Sequence, residues 1–131
     1  MKYLKLFSES YDEYVDDMFT EDKLRFTRED IDNILDIFQD IIDEYNLTKS
    51  KFGTSINGQY RLFDYHYNLS IWINIDELMH NDKFFLDIDN FKNRLKSEKI
   101  NTRINRVPST WQYSHYLLEL AIEKDKTQIL K

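Results

Sequence analysis

Between residues 28 and 45 apolar side chains recur every three or four positions, and this constrains the fold more than any other feature of the chain. Ile31, Ile34, Leu35, Phe38, Ile41, Ile42 and Tyr45 share one side of a helix, while Glu29, Asp36, Asp40 and Asp43 fall near the opposite side at 100° per residue. Thr27 followed by Asp30 is a capping-box start with the shorter acid, and Asn46 is a fitting stop. A helix that is apolar along one face only must cover another layer, so the rest of the chain has to supply one.

That layer is legible downstream as strands. Asn57-Gly58 lies between 51–56 and 59–65, and both residues tolerate the positive φ of a type I′ turn, so the pattern predicts a hairpin there. Leu69, Ile71, Ile73 and Ile75 alternate with Ser70, Trp72 and Asn74, which predicts a strand with one apolar face. Residues 76–79 read as one helical turn. Asp87 then reads as the cap of a second short helix, with Ile88, Phe91 and Leu95 inward and Lys92, Arg94 and Lys96 outward. Residues 100–107 alternate again, Ile100, Thr102 and Ile104 opposing Asn101, Arg103 and Asn105. Beyond Pro108, Tyr116, Leu118, Leu120 and Ile122 alternate as a strand. Ser109 with Gln112 makes a competing capping pattern, and 117–124 is rich in helix formers. The strand is favoured because it pairs with 103–107 across Pro108. Ahead of all this, Ser10 with Glu13 opens a helix of about three turns carrying Tyr11, Tyr14, Val15, Met18 and Phe19 on one face, and Leu24 and Phe26 form an extended link. The order predicts one α+β domain over 1–131, with helices packed on one face of an antiparallel sheet.

The 131 residues are 41% hydrophobic and 15% aromatic, enough to close a core without staples. Cysteine is absent, which removes disulfides, thiolate zinc sites and Cys nucleophiles and fits a reducing compartment. The opening MKYLKLFSESYDEY turns acidic before it forms the apolar run of a signal peptide, and no stretch approaches the ~18 apolar residues of a membrane span. The expectation is a soluble, cytoplasmic protein that does not engage a membrane.

Charge divides unevenly. Residues 1–46 hold 14 acidic against 5 basic side chains, a net of −9, whereas 47–131 carry a net of +3. The acid of the 28–45 helix suggests a surface that docks on a partner protein with a basic surface, with Glu29, Asp32, Asp36, Asp40 and Asp43 as the partner-binding candidates. Asp36, Asp40 and Asp43 alone form a ladder with axial gaps of ~6 and ~4.5 Å, suited to a groove built for nucleic-acid phosphates. The bland alternative is a solvated face that keeps the chain soluble. A competing surface is basic: Lys92, Arg94, Lys96, Lys99, Arg103 and Arg106 stand within fifteen residues containing one acid, Glu98, as nucleic-acid-binding candidates. Its aromatic neighbour Phe91 belongs to the apolar face, and the net charge of −6 opposes attraction to a polyanion.

Motifs for chemistry are lacking, and the sequence implies no catalytic residue, no metal and no cofactor. His66, His80 and His115 lie in separate elements with Asp64, Asp76, Asp82 or Glu119 nearby, and none has the i, i+4 or HxH spacing that guarantees a shared metal site. No glycine elbow exposes a serine, and Gly53 and Gly58 stand at no helix start, so a phosphate-cradling loop is missing as well. The carboxylates of 12–43 are expected to be exposed, which leaves none with the raised pKa that acid catalysis needs.

The start Met1-Lys2-Tyr3-Leu4-Lys5-Leu6-Phe7-Ser8-Glu9 resembles the "MKxhKLFE" openings of small uncharacterised proteins from large tailed bacteriophages. The stretch from Ile88 to Glu98, followed by a strand, is similar to a helix-and-strand unit in such proteins, with Lys99 where a helix-ending Gly is usual. Scarce Gly, Pro and Ala, whose codons are GC-rich, fit an AT-rich genome. The resemblance implies a phage-encoded protein that binds and blocks a host factor, in the manner of an anti-CRISPR; it transfers no site residue. A structural or virion-associated protein whose exposed strand pairs with a neighbour is the remaining alternative.

Overall fold

Residues 23–107 and 114–126 are described by the structure, a computed structural model of the chain. In chain order their elements are α1 (Arg28–Tyr45), β1 (Thr48–Lys49), β2 (Gln59–Asp64), β3 (Asn68–Asn74), α2 (Asp82–Ser97), β4 (Ile100–Val107) and β5 (Leu117–Lys124). The strands make one sheet in the order β1-β2-β3-β5-β4. β1 runs parallel to β2 and all other neighbours are antiparallel. The expected α+β architecture is present, with one short parallel pair added at an edge. Because β5 lies antiparallel between β3 and β4, those two strands run the same way and α2 is the crossover of a split βαβ unit.

Strand parity decides which side chains meet the helices. Tyr60, Leu69, Ile71, Ile73, Leu118, Leu120 and Ile122 are buried in one cluster with Ile34, Phe38 and Ile41 of α1 and Phe84, Ile88, Phe91 and Leu95 of α2. Phe38 is at its centre, with 0% of its surface exposed and its ring edge-on to Tyr60 at 5.7 Å and to Phe91 at 5.3 Å. The two helices run antiparallel. Glu44 and Tyr45 therefore meet Lys83, Phe84 and Asp87, while Asp40 meets Arg94 further along.

Helix α1 follows its sequence pattern closely. Thr27 and Asp30 bond reciprocally as a capping box, and Asn46 turns left-handed at φ 53° while its N–H closes on the Ile42 carbonyl. Helix α2 begins earlier than Asp87. Its cap is Asn81, whose Oδ1 accepts the Phe84 N–H at 3.0 Å. Phe84 extends the Ile88, Phe91, Leu95 stripe one turn toward the N-terminus, and burial of that ring sets the start. Asp87 instead lies inside the helix and accepts from Tyr45 Oη at 2.7 Å and Lys83 Nζ at 3.1 Å.

The hairpin expected at Asn57-Gly58 is absent. Only Gly58 takes a positive φ, 83°, and residues 51–56 pair with no strand. The reason is tertiary: buried Asn74 donates to the Thr54 carbonyl, Asn57 Oδ1 accepts the Glu77 N–H, and Gly58 donates to Asn74 O, so the loop folds onto the end of β3. The edge place beside β2 goes to Thr48 and Lys49. The β2–β3 turn contains no glycine and uses His66 at φ 71°. Residues 76–80 are turns and not a helix, and Lys23 and Leu24 are helical where an extended link was expected. The helix expected over 10–19 and the Ser109/Gln112 pattern lie outside the described residues. Segment 117–124 is a strand, paired antiparallel with β4 as favoured. No helix among the described residues is long and apolar enough to cross a membrane.

Candidate functional site

Glu29, Asp32, Asp36, Asp40 and Asp43 are all exposed on the side of α1 that faces away from the sheet. At 100° per residue they fall within about 80° of arc and extend ~21 Å along the axis. Asp40 lies 3.8 Å from Arg94, but with 87% and 59% of the two side chains exposed this pair contributes no more than about 1 kcal/mol. Asp43 accepts from the Gln39 amide. Among the described residues Glu29, Asp32, Asp36 and Asp43 have no ion pair; Lys124 pairs with Asp30 at 2.7 Å and Lys83 with Glu44 and Asp87, while Arg28, one residue from Glu29 and four from Asp32, makes none. Burial pushes the Asp30 pKa up, but hydrogen bonds from Lys124 and Thr27 outweigh it, and the carboxyl is held below its ordinary value. The last turn of α1 has no basic residue, so Asp43 and Glu44 oppose the helix dipole there.

The basic candidates do not form one surface. Lys92 and Arg94 flank the buried stripe of α2 on opposite sides, Lys92 half-buried and Arg94 turned toward Asp40 of α1, and Lys96 is exposed. Lys99 takes φ 62° at the bend into β4, and Arg103 and Arg106, three residues apart on a strand, project from opposite faces. Arg106 returns to the helix side, its guanidinium 3.9 Å above the Phe85 ring. Arg103 stands on the other face of the sheet.

That other face, which no helix among the described residues covers, carries side chains the charge pattern overlooked. The register sets Phe63, Ser70, Ala121 and Arg103 in one row across β2-β3-β5-β4, and Arg61, Trp72, Glu119 and Asn105 in the next. Phe63 and Tyr65 stack with an 11° interplanar angle at 6.1 Å, and the Arg61 guanidinium lies 4.5 Å from the Phe63 ring centre. Small Ser70 and Ala121 leave a trough of about 170 Å³, walled by Tyr65, Asn68, Asn101, Arg103, Glu119 and Glu123. The Glu119 carboxylate is fixed in that wall by the Ser70 hydroxyl at 2.6 Å and the Asn105 amide at 3.1 Å. Part of the signal was present in the sequence: Trp72 occupies the non-core parity of a strand whose core parity was evident, whereas 59–65 reads only as a hairpin arm without an assigned face.

His66, His80 and His115 stand in three separate turns, and no group of three metal-binding side chains forms among the described residues. His115 Nδ1 is 3.0 Å from Asp76, which also accepts the Tyr116 N–H at 2.7 Å. Burial raises the Asp76 pKa, and these bonds with one from Asn74 outweigh it, lowering the value overall. The contact fastens the turn after β3 to the start of β5.

No protein-family model, no curated protein and no solved structure matches the chain.

Proposed function

We propose that the chain is a non-catalytic binding protein that docks the acidic face of α1 on a basic surface of a partner protein. The observation that carries this reading is the ladder of Glu29, Asp32, Asp36 and Asp43, which makes no ion pair among the described residues. Asp43 near the helix C-terminus costs stability against the dipole, a cost that lysine would avoid while solvating equally well. A row of carboxylates about 21 Å long fits a groove evolved for a nucleic-acid backbone. With the phage-like start, this makes an inhibitor of a host nucleic-acid-handling or defence protein, acting in the host cytoplasm, the preferred reading. The basic segment 92–106 gives weaker support for its alternative, since its side chains point to three sides of the molecule.

The test is capture of a partner from host lysate, followed by association kinetics with Glu29, Asp32, Asp36 and Asp43 changed together to Gln or Asn. Neutralisation is expected to slow association at least tenfold with little effect on dissociation, and salt should slow the wild type as the Debye length shortens from ~10 Å at 0.1 M to ~3 Å at 1 M. Unchanged association by a folded quadruple variant refutes the docking role.

A further inference from the structure

We propose that the face of the sheet opposite α1 and α2 binds single-stranded nucleic acid, with bases stacked on Tyr65 and Trp72 and phosphates held by Arg61 and Arg103. This site is separate from the acidic face of α1, and each stands or fails without the other.

Three features of the face favour this occupant. First, aromatic rings reach the surface: Tyr65 is 55% exposed with Phe63 against one of its faces, and the half-buried Trp72 side chain makes no ring contact or hydrogen bond among the described residues. Sequence-tolerant stacking of bases on such rings is the usual attachment of single strands to open sheets. Second, charge is distributed as a strand requires. Arg61 and Arg103 stand at opposite sides, three strand spacings across and two residues along, about 16 Å apart, and Arg61 also donates to the Phe52 carbonyl at 2.6 Å. Arg103 is exposed and has no ion pair among the described residues. Third, the centre repels phosphate and accepts base edges. The floor at Ser70 and Ala121 is low enough for a flat group, and Glu119 is held by Ser70 and Asn105 with lone pairs left for the amino groups of cytosine, adenine or guanine. Backbone is thereby kept to the two rims where the guanidiniums lie. A duplex buries its base faces and has nothing to offer the rings.

The experiment is fluorescence anisotropy of labelled single-stranded DNA and RNA homopolymers, with duplex DNA alongside, titrated with the full chain. Single strands should bind at least tenfold more tightly than duplex. Two phosphate contacts give a slope of about −1.4 in log K against log salt between about 0.1 and 0.3 M, and Arg103→Ala should reduce its magnitude by about 0.7. Trp72→Ala and Tyr65→Ala should each weaken binding about fivefold or more. A difference between the DNA and RNA arms assigns the sugar. Because Arg103 is exposed, its variant tests the site even where a ring variant fails to fold. The proposal is overturned if no strand binds at about 100 µM, if duplex binds as tightly as single strands, or if folded Arg103→Ala binds with unchanged affinity and slope. Capture of a protein on this face in place of any strand would equally overturn it.

Discussion

Truncating Phe38 to Ala tests the packing on which both proposed surfaces depend. The ring has 0% exposure and touches all three parts of the core: its own helix, Tyr60 of β2 and Phe91 of α2. Losing a buried Phe side chain costs ~3 to 5 kcal/mol, and the two edge-on ring pairs, each worth ~0.5 to 1.5 kcal/mol beyond burial, place the expected loss in the upper half of that range. The cavity does not collapse readily, since the sheet fixes Tyr60 on one side and α2 fixes Phe91 on the other. Against a typical stability of ~5 to 15 kcal/mol, such a loss should lower Tm by about 10 to 20 °C and reduce the urea midpoint with m unchanged. The assay is urea unfolding followed by far-UV circular dichroism, with Leu86→Ala as the control. Leu86 is 59% exposed, so its truncation should change stability by no more than about 0.5 kcal/mol. A loss below about 1 kcal/mol for Phe38→Ala, or one no larger than the control, would refute the account of how α1, α2 and the sheet meet.

Acid should destabilise the fold in a defined direction. The Tyr45 hydroxyl and then Lys83 hold the Asp87 pKa below its ordinary value. Stability from it is therefore complete above the unfolded value near 3.8 and lost as pH falls through the lower folded value; urea midpoints in Asp87→Asn should change less between about pH 5 and 2.5 than in wild type. Thr102 Oγ1 is buried on the core side of β4 without a hydrogen-bond partner among the described residues, so Thr102→Val should raise stability by about 1 kcal/mol in the same assay, and a loss would reveal a partner for the hydroxyl. Gly58→Ala should cost about 1 to 2 kcal/mol through φ 83° alone, because the added Cβ meets only ordinary contacts at 3.9 Å; a neutral effect would show that the loop readjusts.

Sequence reasoning succeeded where a period and a local signal agreed. Helix α1 has both its stripe and its caps in adjacent residues, and β3, β4 and β5 alternate over seven or eight positions. It failed where a tertiary partner decided the outcome. Asn57-Gly58 has hairpin chemistry, yet the buried Asn74 amide and the Glu77 N–H draw that loop onto the end of β3. Asp87 has cap chemistry, yet the hydroxyl that it accepts comes from Tyr45, forty-two residues away. The acidic ladder was legible because it lies on one helix. Rows such as Phe63-Ser70-Ala121-Arg103 were not, since they exist only once the register of four strands is set, and in the sequence Ala121 and Ser70 are merely small residues.

The layering also determines how the two surfaces affect each other electrostatically. Both described helices occupy one side of the sheet, so the acid of α1 projects away from Arg61, Trp72 and Arg103. A helix packs about 10 Å from the layer below and adds ~5 Å of its own radius, which puts the ladder ~15 to 20 Å from the open face. At about 0.15 M salt the Debye length is ~8 Å, and the ladder is largely screened from a strand bound there. At about 0.01 M it is ~30 Å, and the net charge of −6 repels that strand directly. Binding at the open face should therefore cease to strengthen as salt is lowered through the tens of millimolar, and the quadruple α1 variant should restore the straight salt dependence. A wild-type plot that remains straight to about 0.01 M, indistinguishable from that of the variant, would show that the acid is not felt across the sheet.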